Sequence, residues 1–169
     1  AKLGVTTALI NTNLAGEPLH HSVAVSGARH AIVDDELADE WHEAKGDQSP
    51  VELAFTPGWT ELADHSTARP DPARREGLTC GDRLLYIYTS GTTGLPKAAS
   101  FSHGKFLTVG GATAGMVGIN EDDRAYITLP LYHTAGGVMA LGGALLPGGT
   151  ALTVRKFSAS RFWDDCVEH

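Results

Sequence analysis

The part of the sequence best suited to chemistry is a short run that combines hydroxyl side chains, two glycines and a lysine. Its residues are Thr89, Ser90, Gly91, Thr92, Thr93, Gly94, Leu95, Pro96 and Lys97. Glycines allow the backbone to approach an anion closely and to turn its N–H groups toward it. The hydroxyl groups add donors, and the lysine adds a mobile positive charge. Because each charge-assisted hydrogen bond to a phosphate contributes about 1.5–3 kcal/mol, several together can hold a polyphosphate.

The spacing distinguishes this run from better-known nucleotide loops. A P-loop has a longer separation between its glycines and a Ser or Thr directly after its lysine. Here two residues separate Gly91 from Gly94, Ala98 follows Lys97, and the dinucleotide pattern G-x-G-x-x-G is absent. Pro96 also disfavours a helix at the residue before it, so the lysine is not expected to open a helix. A flexible surface loop is the alternative interpretation, because Gly, Ser and Thr are ordinary loop residues.

The run follows a predicted strand at 84–88, L-L-Y-I-Y, which is typical of a buried strand. In open α/β sheets, ligands bind at the carboxyl ends of strands, and the run begins at such an end. This context favours phosphate binding over the flexible loop. Downstream we predict a helix at 102–116, strands at 125–129 and 150–154 with an apolar glycine-rich helix between them, and a last helix that starts at Ser158 or Ser160.

Strands and helices also alternate before the run. The pattern predicts strands at 5–10 and 31–33, a helix with Pro18 in its first turn that ends at Gly27, and a helix capped by Asp34 or Asp35 that carries Leu37 and Trp41 on one face. Such alternation is what a parallel sheet needs to cross over. We therefore predict an α/β fold with a mainly parallel sheet and flanking helices. His20 and His21 on the first helix are interpreted as surface or packing residues.

Composition bounds the organisation and the partners. The chain has 13 basic and 20 acidic side chains, a net charge of −7, which disfavours a nucleic-acid binder. Two cysteines are too few for a disulfide framework. We divide the chain into an α/β segment at 1–63, a connecting loop at 64–82 and a second α/β segment at 83–169. Neither end carries the usual start or stop signals, so we expect a piece of a longer protein.

The stretch Y-T-S-G-T-T-G-L-P-K at 88–97 resembles the signature loop of the acyl-adenylate-forming enzymes, which include the acyl-CoA synthetases. The resemblance implies that the loop embraces the β- and γ-phosphates of ATP. Its ligating residues would be Thr89, Ser90, Gly91, Thr92, Thr93, Gly94 and Lys97. We call residues 89–97 the phosphate loop.

A second stretch at 129–136, L-P-L-Y-H-T-A-G, resembles the motif of these enzymes that borders the carboxylate pocket and gates the acyl tunnel. The resemblance implies a catalytic, substrate-facing role for His133, with Tyr132 beside it. Gly136 and Gly137 are substrate-binding candidates that would leave room for an acyl chain, with close packing as the open alternative. Gly110-Gly111 and Gly142-Gly143 are interpreted as packing positions. We call residues 129–137 the acyl-gate segment.

The flanks resemble the fatty acid transport proteins, also called very-long-chain acyl-CoA synthetases: G-V-T-T-A-L-I-N-T-N-L-A-G-E-P-L at 4–19 and K-F-S-A-S-R-F-W-D-D-C at 156–166. The resemblance implies an AMP-forming ligase that activates long- or very-long-chain fatty acids with ATP and Mg²⁺ and passes the acyl group to coenzyme A. The family motifs that contact ribose, adenine and magnesium, and the C-terminal lid domain with its lysine, are not found. No metal ligand is therefore assigned, and we expect this chain alone to be inactive.

Two alternatives stay open: a fatty-acid uptake or binding module without ligase chemistry, and an adenylating enzyme for another carboxylate. The predicted location is the cytoplasm, with peripheral contact to the cytoplasmic face of a membrane as a further option. The oligomeric state is left open.

Overall fold

The chain divides into two compact units in a computed structural model that describes residues 2–45, 51, 53–55, 65–89 and 94–169. The N-terminal unit comprises Ala1–Leu78 and Leu84–Ser100, and the C-terminal unit comprises Thr79–Arg83 and Phe101–His169. The units therefore interleave along the chain, since a later strand joins the first unit. The predicted division at 1–63, 64–82 and 83–169 follows chain order and stays a prediction about domain organisation.

In the described residues of the N-terminal unit, small sheets pack with two α-helices. The elements are β1 (Thr7–Leu9), α1 (Gly16–Ser26), β2 (His30–Ile32), α2 (Ala38–Lys45), β3 (Leu53–Phe55), β4 (Arg83–Thr89) and β5 (Lys97–Ser102), whose last two residues belong to the other unit. One sheet has the order β1-β4-β5, and β2 pairs with β3. The β1–β4 and β2–β3 pairings are both parallel, with Thr7 opposite Leu85 in the first.

Helix α1 follows the predicted pattern. Leu19 and Val23 are buried on one face, and Gly27 ends the helix in the left-handed conformation with φ of 61°. Asp34 accepts a hydrogen bond from the Glu36 N–H at 3.1 Å and caps a short 3₁₀ turn that leads into α2. A hydrophobic cluster joins both helices to the neighbouring strand residues: Leu19, Val23, Val33, Trp41, Ala44 and Val51.

Two expectations for this unit need correction. The strand predicted at 31–33 runs from His30 to Ile32, and Ile32 is 73% exposed, so Val33 after the strand fills the core instead. Strand β5, which begins at Lys97, was not predicted at all. Its sequence K-A-A-S-F-S contains small residues and only one large apolar side chain, so it lacks the alternation that signals a strand.

The C-terminal unit contains α3 (His103–Val117), β6 (Arg124–Ile127), a π-helix (Thr134–Ala140), α4 (Leu141–Leu145), β7 (Thr150–Thr153) and α5 (Phe162–Glu168). Strands β6 and β7 pair in parallel, with Arg124 opposite Thr150. A Cβ placed on Gly110 would lie 3.0 Å from the Gly142 carbonyl carbon, and one on Gly143 would lie 3.1 Å from Thr113 Cγ2. Gly110, Gly142 and Gly143 let α3 and α4 pack closely, as predicted, but the prediction was wrong for Gly111, which has nothing within 4 Å of its Cβ position.

Helix α5 docks through its one buried residue, Asp165. The Tyr126 hydroxyl donates to Asp165 Oδ2 at 2.6 Å, and the Arg161 guanidinium bonds the other oxygen at 3.1 Å. The hydrogen bond to Asp165, with desolvation, raises the pKa of Tyr126 to about 12. The predicted start at Ser158 or Ser160 was wrong, because the helix begins at Phe162 after Arg161, while Ser158 and Ser160 hydrogen bond to each other.

Candidate functional site

The phosphate loop joins the ends of two strands in the N-terminal unit. Strand β4 is buried at Leu85, Ile87 and Tyr88 and becomes exposed at its last residue, Thr89. Strand β5 begins with exposed Lys97. The candidate residues Ser90, Gly91, Thr92 and Thr93 lie outside the described part of the chain. The loop therefore leaves a carboxyl strand end, as predicted, but it returns into a strand rather than directly into a helix.

The described residues of the loop lie close together. The Thr89 hydroxyl makes a long 3.5 Å contact to the Lys97 carbonyl oxygen, so the first and last residues of the loop are neighbours. Gly94 has φ of 84°, in the left-handed region that glycine adopts without strain. Within the described part of the chain, the Lys97 ammonium group forms no ion pair. An exposed cation and an exposed hydroxyl thus share one edge of this sheet, which is a suitable arrangement for an anion.

Helix α1 holds the residues on either side of this edge. The Tyr88 hydroxyl donates a buried 2.7 Å hydrogen bond to the Ser22 carbonyl oxygen. The next residue back along the helix, His21, places Nε2 at 3.1 Å from the Pro96 carbonyl oxygen. Burial raises the pKa of Tyr88 to about 12.

The His21 contact was missed in the sequence, which indicated only a surface or packing residue. The contact joins residues 75 positions apart, so no local pattern could have revealed it. His20, by comparison, is exposed, as expected for a surface position.

Helix α3 begins soon after the loop, but its own chain satisfies its first N–H groups. His103 N donates to the Asp82 carbonyl oxygen at 3.0 Å, Gly104 N donates to the Cys80 carbonyl oxygen at 2.7 Å, and Lys105 N donates to Ser102 Oγ at 3.2 Å. Because helix N-termini bind anions through free N–H groups, this end of α3 is not available for phosphate. Phosphate binding by the phosphate loop stays a prediction.

The acyl-gate segment lies in the C-terminal unit. The Tyr132 and His133 rings contact each other with centroids 4.8 Å apart, tilted by 55°. His133 is exposed and precedes the π-helix, whose first turn it closes by accepting from Gly137 N at 2.8 Å. π-helical turns are rare and occur often at functional sites. The pair is accessible, and its substrate role stays a prediction.

Gly136 and Gly137 are both buried in the π-helix. A Cβ on Gly136 would lie 2.6 Å from the Leu129 carbonyl oxygen, and one on Gly137 would collide with the Leu131 carbonyl oxygen. The space beside both α-carbons is thus filled by the backbone of 129–131. This geometry gives the glycines a packing role, whereas their predicted contact with an acyl chain remains untested.

Two further features concern ions and membranes. In the described ranges, no group of three or more His, Cys, Asp or Glu side chains is arranged to hold a metal ion. No helix within those ranges has both the length and the apolar character needed to cross a bilayer.

Comparison with known proteins identifies the family. The family model described as AMP-binding enzyme matches residues 1–169. Long-chain fatty acid transport protein 1 of Bos taurus is 40% identical over 181 residues, and long-chain fatty acid transport protein 5 of Homo sapiens is 42% identical over 187 residues. Each match covers 100% of this chain but only 28% and 26% of those relatives, so the chain spans about a quarter of their length.

The fold comparison agrees. The inhibitor-bound N-terminal domain of FACL13 from Mycobacterium tuberculosis superposes with a TM-score of 0.84 at 24% identity, covering 99% of this chain and 42% of that one. This likeness confirms the predicted α/β class. With the family model matching along its whole length, the chain belongs to the AMP-binding enzyme family.

Proposed function

We propose that the protein is an AMP-forming fatty acyl-CoA ligase and that this chain supplies its grip on the β- and γ-phosphates of ATP. The observation that carries the proposal is the pairing of exposed Thr89 and Lys97 at one sheet edge, within a chain of the AMP-binding family. Family membership supports ATP as the nucleotide. The exposed ammonium group and hydroxyl fit a polyphosphate, because both are donors to phosphate oxygens.

The proposed reaction has two steps. A carboxylate oxygen of the fatty acid attacks the α-phosphorus, the bond to the β-phosphate oxygen breaks, and pyrophosphate leaves. The thiol of coenzyme A then attacks the acyl carbon of the adenylate, loses its proton, and releases AMP. Mg²⁺ supplies further neutralisation of phosphate charge when bound, and no residue of this chain is assigned to hold it.

The contribution of this chain to the first step is electrostatic. Negative charge builds up on the leaving pyrophosphate as the bond to the α-phosphorus breaks. The Lys97 ammonium group would stabilise that charge, and the Thr89 hydroxyl would fix the orientation of a phosphate oxygen. Ser90, Gly91, Thr92, Thr93 and Gly94 would supply the remaining donors, as the family resemblance implies.

The acyl-gate segment would contribute the substrate side of the site. His133 is exposed and Tyr132 lies against it, so a rotation of this ring pair could open or close access to a carboxylate. Similarity to proteins named for long-chain fatty acids supports fatty acids over amino acids or aryl acids as the substrate class. The transport names of the same relatives favour one alternative, a fatty-acid uptake module whose binding is independent of ATP.

The test is pyrophosphate exchange with a panel of carboxylates, using the protein expressed from its complete reading frame. Lys97→Ala should lower exchange by at least about 100-fold, the range for removing a charge stabiliser at a transition state. Lys156→Ala removes another exposed lysine as a matched control and should leave exchange unchanged. Fatty-acid binding that needs neither Lys97 nor Mg-ATP, without exchange, would establish the uptake module instead. Exchange with a different carboxylate class would replace only the substrate.

A further inference from the structure

Helix α1 contacts Tyr88, which directly precedes the phosphate loop, and Pro96, the last residue but one of the loop. Two adjacent residues of α1 make these contacts: the Ser22 carbonyl oxygen accepts from Tyr88, and the His21 ring reaches Pro96. Tyr88 directly precedes Thr89, and Pro96 directly precedes Lys97. One turn of a helix therefore holds the residues next to the first and last members of the loop.

The chemistry of the His21 contact assigns its direction. A carbonyl oxygen only accepts, so the Nε2 atom at 3.1 Å must carry the hydrogen and donate it to Pro96. The Pro96–Lys97 peptide is planar, and holding its oxygen therefore orients the nitrogen and α-carbon of Lys97 as well. On the other side, the Lys97 carbonyl oxygen is in contact with the Thr89 hydroxyl. The peptide group before the Lys97 α-carbon is therefore held by His21, and the peptide group after it is in contact with Thr89.

Helix α1 is a firm support for this contact. Leu19 and Val23, on either side of His21, belong to the hydrophobic cluster of the unit, and Ser22 is fully buried. The Ser22 hydroxyl also bonds the Pro18 carbonyl oxygen at 2.8 Å, within the helix. A helix held in this way moves little, so it can fix the point from which the Lys97 side chain extends.

We propose that His21 is a positioning residue for the phosphate loop, which fixes the Lys97 backbone through Pro96 while Tyr88 fixes the opposite end. The inference rests on the proposed function of Lys97 but assigns a role to a residue outside the loop. His21 touches no phosphate. Its effect is geometric, because the Lys97 ammonium group can bind the polyphosphate of ATP, in the bound ground state as well as in the transition state, only where the backbone places it.

The test compares His21→Leu, His21→Gln and His20→Leu in the protein expressed from its complete reading frame, by steady-state kinetics with ATP and fatty acid varied in turn. His21→Leu should raise the KM for ATP about tenfold, corresponding to one lost hydrogen bond, and leave the KM for fatty acid unchanged. His21→Gln places an amide N–H at a similar reach and should restore most of the loss. His20→Leu, on the same helix but exposed, should match the wild type.

The kinetic outcomes distinguish a positioning role of His21 from a purely structural one. A merely structural role would reduce the active fraction, and hence kcat, without changing the KM for ATP. The proposal is overturned if His21→Leu has a wild-type KM for ATP, if both KM values rise together, or if His21→Gln restores nothing. Should His21→Leu not fold, Tyr88→Phe decides in the same assay: a raised KM for ATP supports the tether, and an unchanged one overturns it.

Lys97→Ala distinguishes failure of the proposed function from failure of the positioning role of His21. If it leaves ATP use intact, the proposed function itself fails. If it abolishes ATP use while His21→Leu has no effect, only the positioning role fails. Combining His21→Leu with Lys97→Ala should add no further loss, because His21 acts through the lysine.

Discussion

The phosphate loop and the acyl-gate segment are held in different ways. The described ends of the loop are connected to α1 by side-chain hydrogen bonds to backbone carbonyls, across 66 residues at Tyr88 and 75 at His21. The acyl-gate segment is held by close approach of backbone to backbone, where Gly136 and Gly137 press against residues 129–131. A lost hydrogen bond removes one favourable contact, whereas a carbon atom added against rigid backbone clashes with atoms that cannot move aside. Substitutions at Gly136 or Gly137 should therefore destabilise the protein more than substitutions at Tyr88 or His21.

The largest expected effect is at Gly137. Gly137→Ala would drive its Cβ into the Leu131 carbonyl oxygen, which cannot move without displacing the acyl-gate segment. We expect a loss of about 3 kcal/mol in the free energy of unfolding, at the upper end for overpacking. Urea unfolding followed by circular dichroism measures it.

Gly111→Ala is the matched control, since it lies in α3 with nothing within 4 Å of its Cβ position. Alanine there should be neutral or stabilising by up to about 1 kcal/mol. If the two substitutions change the free energy of unfolding equally, close backbone packing does not make Gly137 sensitive to substitution.

The sequence predicted the features that depend on nearby residues and missed those that no local pattern shows. Helix α1, its glycine stop and helix α3 were visible because each depends on residues within one or two turns. The position of the phosphate loop at the end of β4 was visible for the same reason. Strand β5 lacks the alternation of apolar and polar residues, the His21–Pro96 contact depends on a partner distant in sequence, and the π-helix depends on backbone packing, so no local periodicity encodes them.

A second prediction sharpens the comparison through two tyrosines, one in each unit. Burial raises the pKa of Tyr88 to about 12, and the hydrogen bond to Asp165 raises that of Tyr126 to about 12, from a usual value of 10.0. A raised pKa means that the neutral phenol stabilises the fold. The stabilisation is complete below pH 10 and is lost as the pH rises toward 12.

Tyr88→Phe should cost about 1 kcal/mol at pH 8, the net value of one hydrogen bond, and should lessen the loss of stability above pH 10. Tyr126→Phe should also lessen the loss of stability above pH 10, because the variant has no phenol to ionise beside the Asp165 carboxylate. Urea midpoints from pH 8 to 11 measure both. Tyr88→Phe should also raise the KM for ATP, since Tyr88 directly precedes the phosphate loop, and no such change is expected for Tyr126→Phe. A matching kinetic change in Tyr126→Phe would contradict the assignment.

The smallest expected effect is at Asp82. Its side chain stabilises the turn at residues 79–82, and its carbonyl oxygen contacts the start of α3. Hydrogen bonds from the Thr79 N–H at 2.6 Å and the Thr79 hydroxyl at 2.9 Å hold the pKa of Asp82 below its usual value of 3.8. A lowered pKa means that the carboxylate form stabilises the fold. That stabilisation is complete above the usual value and is lost as the pH falls through the lowered one.

Asp82→Asn should therefore leave a smaller difference between the thermal midpoints at pH 6 and at pH 3 than the wild type shows, with a slight loss at pH 6. Asp122→Asn is the control, because it removes another exposed carboxylate from the same unit. Because the Asp82 carbonyl oxygen, and not its carboxylate, accepts from His103 N, the helix start should survive the substitution. A large loss of helical signal in Asp82→Asn would instead show that the Asp82 side chain itself holds the start of α3 in place.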